Sequence, residues 1–229
     1  MAVATGEREV NGCTLRDRLR SDTASAHARA ESIIGALANP AEADGYQRFL
    51  TAHLAMYRRY GDALDRMSAV LSLPARADDL IKALESDLAN VDERAEMSPA
   101  LTTGASRYLS AGSASVMTVT DAATAIDLRS SAPSQLLGIA YVLEGSANGA
   151  MVIRSLIRKR RDTGGRHDVV PAQFVQALCD DRRYRWPVVA AHLAAARPPA
   201  ADVALAIEAA DGVFVFLSES VEAMGTMTE

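Results

Sequence analysis

The chain is poor in the features that staple or anchor a protein. Its 229 residues include two cysteines, Cys13 and Cys179, and their spacing matches no zinc or redox motif. Stability therefore has to come from a packed core, which a chain of this length can bury, and free thiols suit a reducing compartment. β-Branched residues in strict alternation are scarce, which argues against a sheet. No internal repeat, low-complexity block, flavin or nicotinamide fingerprint is present. The net charge is −5, so no global positive field points to nucleic acid. The opening MAVATGEREVNGC lacks the apolar core of a secretory signal, and apolar runs such as LLGIAYVL are too short to span a bilayer. These absences lead to the expectation of a cytoplasmic protein with no membrane and no nucleic-acid partner.

What is present is a helical pattern. Hydrophobic residues at 49% and charged residues at 23% suit an ordinary globular domain. Residues 1–13 read as a loose tail and 14–229 as one helical domain. Alanine is abundant from Thr14 onward, and the spacing predicts a first helix over 14–38, ending at Asn39-Pro40. A second helix is expected from near Ala43 to Val70, with Tyr46, Phe49, Leu50, His53, Leu54 and Tyr57 on one stripe. Pro74 opens the next element, with Asp78 and Asp79 early in a helix that runs through Leu88. Residues 91–118 are rich in Ser, Thr, Gly and Ala and suggest a short helix followed by loop. A further helix is expected over 120–130. Pro133 then opens a long helix over 134–160, stopped by Gly164 and Gly165. Helices over 171–178, 182–196 and 200–224 complete an all-α bundle, with RPPAAD between the last two.

The long helix, SQLLGIAYVLEGSANGAMVIRSLIRKR, contains Gly138, Gly145 and Gly149. Each mid-helix glycine costs about 1 kcal/mol against alanine, so three need a reason. One reason is close helix packing; the other is a flat ligand lying on bare backbone, for which Gly145 and Gly149 share a face one turn apart. A second unusual stretch is SDTASAHARAES, where Thr23, His27 and Glu31 follow one another at intervals of four. A lone histidine in a helix is ordinarily structural or exposed. Here Glu31 can reach one ring nitrogen, fix the tautomer and leave the other nitrogen for a metal. Ala24, Ala28 and Ala30 leave room beside the ring. Of the remaining histidines, His53 reads as core, and His167 and His192 as surface.

SDTASAHARAES resembles the proximal helix of heme oxygenases, which carries TxxxHxxxE with the histidine as axial iron ligand. YVLEGSANGAMVI is similar to their distal helix, which in bacterial members reads close to YVLEGSxLGGxxL. The two stretches lie about 120 residues apart in the expected order. Trp186, Leu193, Ala209 and Phe214 also fit, so the resemblance spans roughly Leu15 to Leu217. The chain looks most like the bacterial, biliverdin-producing branch, often found beside bacterial phytochromes.

That resemblance implies a heme oxygenase fold and a monooxygenase that converts heme, both substrate and cofactor, to biliverdin, CO and ferrous iron. O₂ is the oxidant, and electrons come from a ferredoxin or a flavoprotein reductase. A bacterial phytochrome is the implied bilin acceptor. His27 would be the proximal ligand and Glu31 its partner. Gly145, Ser146 and Gly149 would form the distal side. Arg20 falls where the family places a basic residue for a heme propionate, and Arg182, Arg183 and Arg185 lie in the other such segment. Two positions depart from the pattern: Asn148 stands for leucine and Ala150 for the second glycine. These departures keep open a non-catalytic heme- or bilin-binding relative, serving as sensor or carrier.

Overall fold

The first helix begins where Thr14 and Asp17 close a capping box. The Thr14 hydroxyl accepts the Asp17 N–H at 3.2 Å, and the Asp17 carboxylate accepts the Thr14 N–H at 3.1 Å. The computed structural model describes residues 13–38, 43–97, 132–163 and 171–225. They form seven helices and no strand: α1 (Leu15–Asp22), α2 (Ala24–Leu37), α3 (Ala43–Val70), α4 (Ala77–Met97), α5 (Pro133–Thr163), α6 (Gln173–Ala195) and α7 (Ala200–Gly225). The class is all-α, as the sequence pattern indicates. Most of the expected tail, the helix expected over 120–130, the Gly164-Gly165 stop and His167 lie outside the described residues.

The boundaries correct the sequence-based expectation in three places. The single helix expected over 14–38 is interrupted at Thr23, which is fully buried. Its hydroxyl donates to the Leu19 carbonyl at 2.7 Å and shares that acceptor with the Thr23 N–H at 3.1 Å. The two helices expected over 171–178 and 182–196 are one continuous α6, which runs through Pro187. The polar run Asp180-Asp181-Arg182 reads as a break in sequence, yet its side chains are held by Gln176, Arg76 and Asn148. α4 continues past Leu88 to Met97.

α5 is the central element. It packs on α3, α6 and α7, while α2 lies mainly against α7 and α4 against α3 and α6. By length and composition α5 is also the one described helix able to cross a bilayer, over Pro133–Lys159, although the sequence suggested apolar runs too short for that. It is a core helix here, with 61% of its most apolar window buried. Gly138 explains how it fits: a Cβ at that position would collide with the Ala206 carbonyl of α7, so the two backbones touch only because there is none.

The α3–α6 region holds an aromatic cluster. His53 stacks at a tilt on Phe49, with centroids 4.2 Å apart, and lies 5.4 Å from Phe174. Its Nδ1 bonds to the Phe49 carbonyl at 2.8 Å, and burial pushes the imidazole down to about 4, so it is a neutral core residue. α6 starts against α4, because both oxygens of buried Asp87 accept backbone N–H groups, from Gln173 and Phe174, at 3.0 Å each. Both cysteines are free thiols, Cys13 exposed and Cys179 buried.

Candidate functional site

His27 sits one turn into α2, after the break at Thr23. Its ring meets the edge of Phe214 on α7 at 5.3 Å and 89°, which fixes the ring plane. The side chain is nonetheless 57% exposed. The Glu31 carboxylate lies 3.7 Å from Nδ1, too far for a direct hydrogen bond but on that edge of the ring. Nε2 is therefore the nitrogen left for an incoming ligand. Among the described residues, no group of three or more His, Cys, Asp and Glu side chains converges to hold a metal.

The second stretch that the sequence singles out is the outer face of α5. Gly149 is exposed, and a Cβ added there would meet nothing within 4 Å. At Gly145 a Cβ would touch only the Trp186 ring, at 3.6 and 3.7 Å. These two glycines therefore differ from Gly138: one turn apart, they leave a flat strip rather than a tight crossing. Asn148 lies between them and is exposed. Its amide donates to the Gly145 carbonyl at 3.1 Å, and its oxygen accepts Arg182 Nε at 2.7 Å. Ser146 is half-buried and donates to the Leu143 carbonyl within the helix at 2.7 Å. Ala150 is 3% exposed and belongs to the core, so its methyl group does not stand on the outer strip.

Basic and aromatic side chains flank the strip. Arg16 lies over Trp186 at 5.9 Å, and Trp186 is 6.2 Å from Tyr141, one turn before Gly145. Burial raises the Tyr141 hydroxyl, and the charges of Arg20 and Arg16 partly oppose that. Arg20 is thus close to the start of the strip while standing seven positions before His27 in the chain. The arginines of the α6 segment separate clearly. Arg183 is exposed, Arg182 is bonded to Asn148, and Arg185 is wholly buried. Arg185 cannot meet a surface anion.

Three residues that sequence reading missed, Glu144, Arg76 and Ser68, gather around Arg185 in the interior. Arg185 donates to Glu144 from Nε at 2.9 Å and Nη2 at 2.7 Å, to the Pro74 carbonyl at 2.6 Å and to Ser68 Oγ at 2.7 Å. Arg76 places Nη2 3.0 Å from the other Glu144 oxygen and Nη1 3.6 Å from Asp181. The signal was a single glutamate inside the apolar run IAYVLEGSA. An open trough of about 470 Å³, lined by Arg18, Val203, Ala204, Ile207, Glu208 and Asp211 among others, contains none of the expected site residues.

Compared with family models, curated proteins and solved structures, the chain matches none.

Proposed function

We propose that this chain binds heme through His27 and degrades it oxidatively to biliverdin, CO and ferrous iron. The observation that carries the proposal is the presentation of His27: an exposed imidazole, oriented by Phe214, with Glu31 at the Nδ1 edge and, among the described residues, no cluster of metal-ligating side chains around it. The exposed backbone at Gly149, one turn from Gly145 beside Trp186, supports it, because a planar macrocycle needs backbone without side chains to lie close to a helix.

Heme, when bound, supplies both the iron that activates O₂ and the ring that is cleaved. The chain's own residues bind, orient and shield. His27 offers Nε2, and Glu31 restrains the ring about its other nitrogen. Gly145 and Gly149 admit the ligand without side chains of their own, with Asn148 and its partner Arg182 beside them. Ser146, turned back to its own helix, adds no proton donor there. Arg20 and Arg183 are the basic groups free to meet propionates at the rim, and Arg185 is not. The electrons come from a ferredoxin or a flavoprotein reductase, and a bacterial phytochrome is the proposed bilin acceptor.

A second reading has one specific observation in its favour. Asn148 places an amide on the strip and is pinned from both sides, by Arg182 and by the Gly145 carbonyl. A held amide on that face suits a heme or bilin carrier that does not turn over. Titration of hemin into the wild type and His27→Ala tests the feature that both readings share. The wild type is expected to give a saturable Soret band, and His27→Ala a weaker or shifted one that added imidazole restores. Identical spectra for the two proteins would remove His27 as the ligand.

A further inference from the structure

α5 has two faces that hydrophobicity barely distinguishes. The inner one carries Ala147, Ala150, Ile153 and Ile157, all buried; the outer one carries Gly145, Gly149, Val152 and Leu156, with Val152 64% exposed and Leu156 40%. A helix that is apolar on both sides does not dictate its own rotation. Gly138 fixes the approach to α7 seven residues before the strip; over Gly145–Leu156, turning α5 would exchange one small and aliphatic row for another, so a further contact at the strip has to select the outward face.

We propose that Glu144 is the positioning residue that sets the rotation of α5, and so presents the Gly145–Gly149 strip to ligand. Its carboxylate is 2% exposed and held by two guanidinium groups from separate elements, Arg76 ahead of α4 and Arg185 on α6. Arg185 is itself fixed, donating to the Pro74 carbonyl and Ser68 Oγ, while Asp65 anchors the backbone N–H of Arg76 at 2.8 Å and the Arg76 guanidinium meets its carboxylates as ion pairs. A rotated α5 would leave Glu144 among apolar side chains or in solvent, take the carboxylate from buried Arg185, and leave Arg76 the longer Asp181 contact at 3.6 Å. Every rotation but one is therefore penalised. Gly145 is the next residue, so the constraint acts directly on the strip.

Buried charge clusters contribute little net stability, and their best-attested role is to specify register. The test separates those two effects. Trp186 is the chain's one tryptophan and packs against Gly145, so its emission reports the orientation of α5 without any ligand. In the triple variant Arg76→Met, Glu144→Leu, Arg185→Met the whole cluster becomes apolar. The expected result is a helical protein with shifted Trp186 emission and several lifetimes in place of one. Glu144→Gln alone should give the same change in its folded fraction, at lower stability. If α5 is correctly oriented in about one molecule in ten, apparent hemin affinity falls about tenfold.

A helical triple variant with unchanged Trp186 emission and lifetimes would overturn the proposal. So would a triple variant that fails to fold, because the cluster would then be a stability element. The hemin arm rests on the heme reading, but the Trp186 arm does not. A wild type that ignores hemin, together with a triple variant whose emission moves, would sink the heme reading and leave Glu144 in its positioning role.

Discussion

At the scale of single residues, the glycines of α5 make opposite predictions. A methyl group at Gly138 would run into the Ala206 carbonyl, which is backbone and cannot move aside cheaply. Gly138→Ala is expected to lower unfolding free energy by about 2 kcal/mol despite the better helix propensity of alanine, measured by urea denaturation. At Gly149 the same methyl group meets nothing. Gly149→Ala should raise the stability of the ligand-free protein by up to about 1 kcal/mol while weakening hemin binding. A stabilised variant that binds hemin unchanged would show that the strip is not a ligand surface. Both reasons for a mid-helix glycine were open in the sequence. Which applies to which residue was not legible, because it depends on where α7 and α6 cross α5.

Ser146, Asn148 and Ala150 show the same limit at the site. The motif stretch assigns all three to the distal side from their place in the chain. Helical geometry then turns Ala150 into the core, leaves Asn148 outside and lets Ser146 bond back to Leu143. A one-residue step is about 100° of rotation. The zero of that rotation is set by Glu144, whose partners come from elements remote in sequence.

At the scale of elements, stripes at regular spacing were easy to read and their punctuation was not. α3 carries its stripe of Tyr46, Phe49, Leu50, His53, Leu54 and Tyr57 as read, all buried, and α5 begins at Pro133 as expected. Thr23 looked like a helix residue and separates α1 from α2, with its hydroxyl and its N–H both on the Leu19 carbonyl. Asp180 and Asp181 looked like a turn and are helical, because Gln176 and Arg76 lie beside them. The α3 stripe also carries a pH prediction. His53 is held neutral by burial, at about 4, against an ordinary value of 6.5 in the unfolded chain. Between those values the unfolded state binds more protons, so this contribution is present above about pH 6.5 and is lost as pH falls toward 4. Relative to His53→Leu, the wild type is expected to lose about 2 kcal/mol between pH 7 and pH 5 in paired denaturation curves. Parallel curves would mean that His53 is not held neutral.

At the scale of the whole molecule, α7 brings the two candidate stretches into one framework. It carries Phe214 beneath His27 and Ala206 beneath Gly138, and both α2 and α5 pack along it. The bidentate contact of Arg29 with Glu222, at 2.8 and 3.0 Å, ties α2 to the far end of the same helix. The all-α class was readable from composition and period alone. The pairing of α2 and α5 through a third helix was not, since no local pattern encodes which helix serves as the common wall.

The most direct measurement is the absorption spectrum of the hemin-loaded protein after ascorbate or reduced ferredoxin is added in air. A heme-degrading enzyme built on His27 and the Gly145–Gly149 strip predicts loss of the Soret band and growth of a broad bilin band toward the red, abolished in His27→Ala. A Soret band that forms and persists through reduction and oxygen would contradict degradation and favour the carrier.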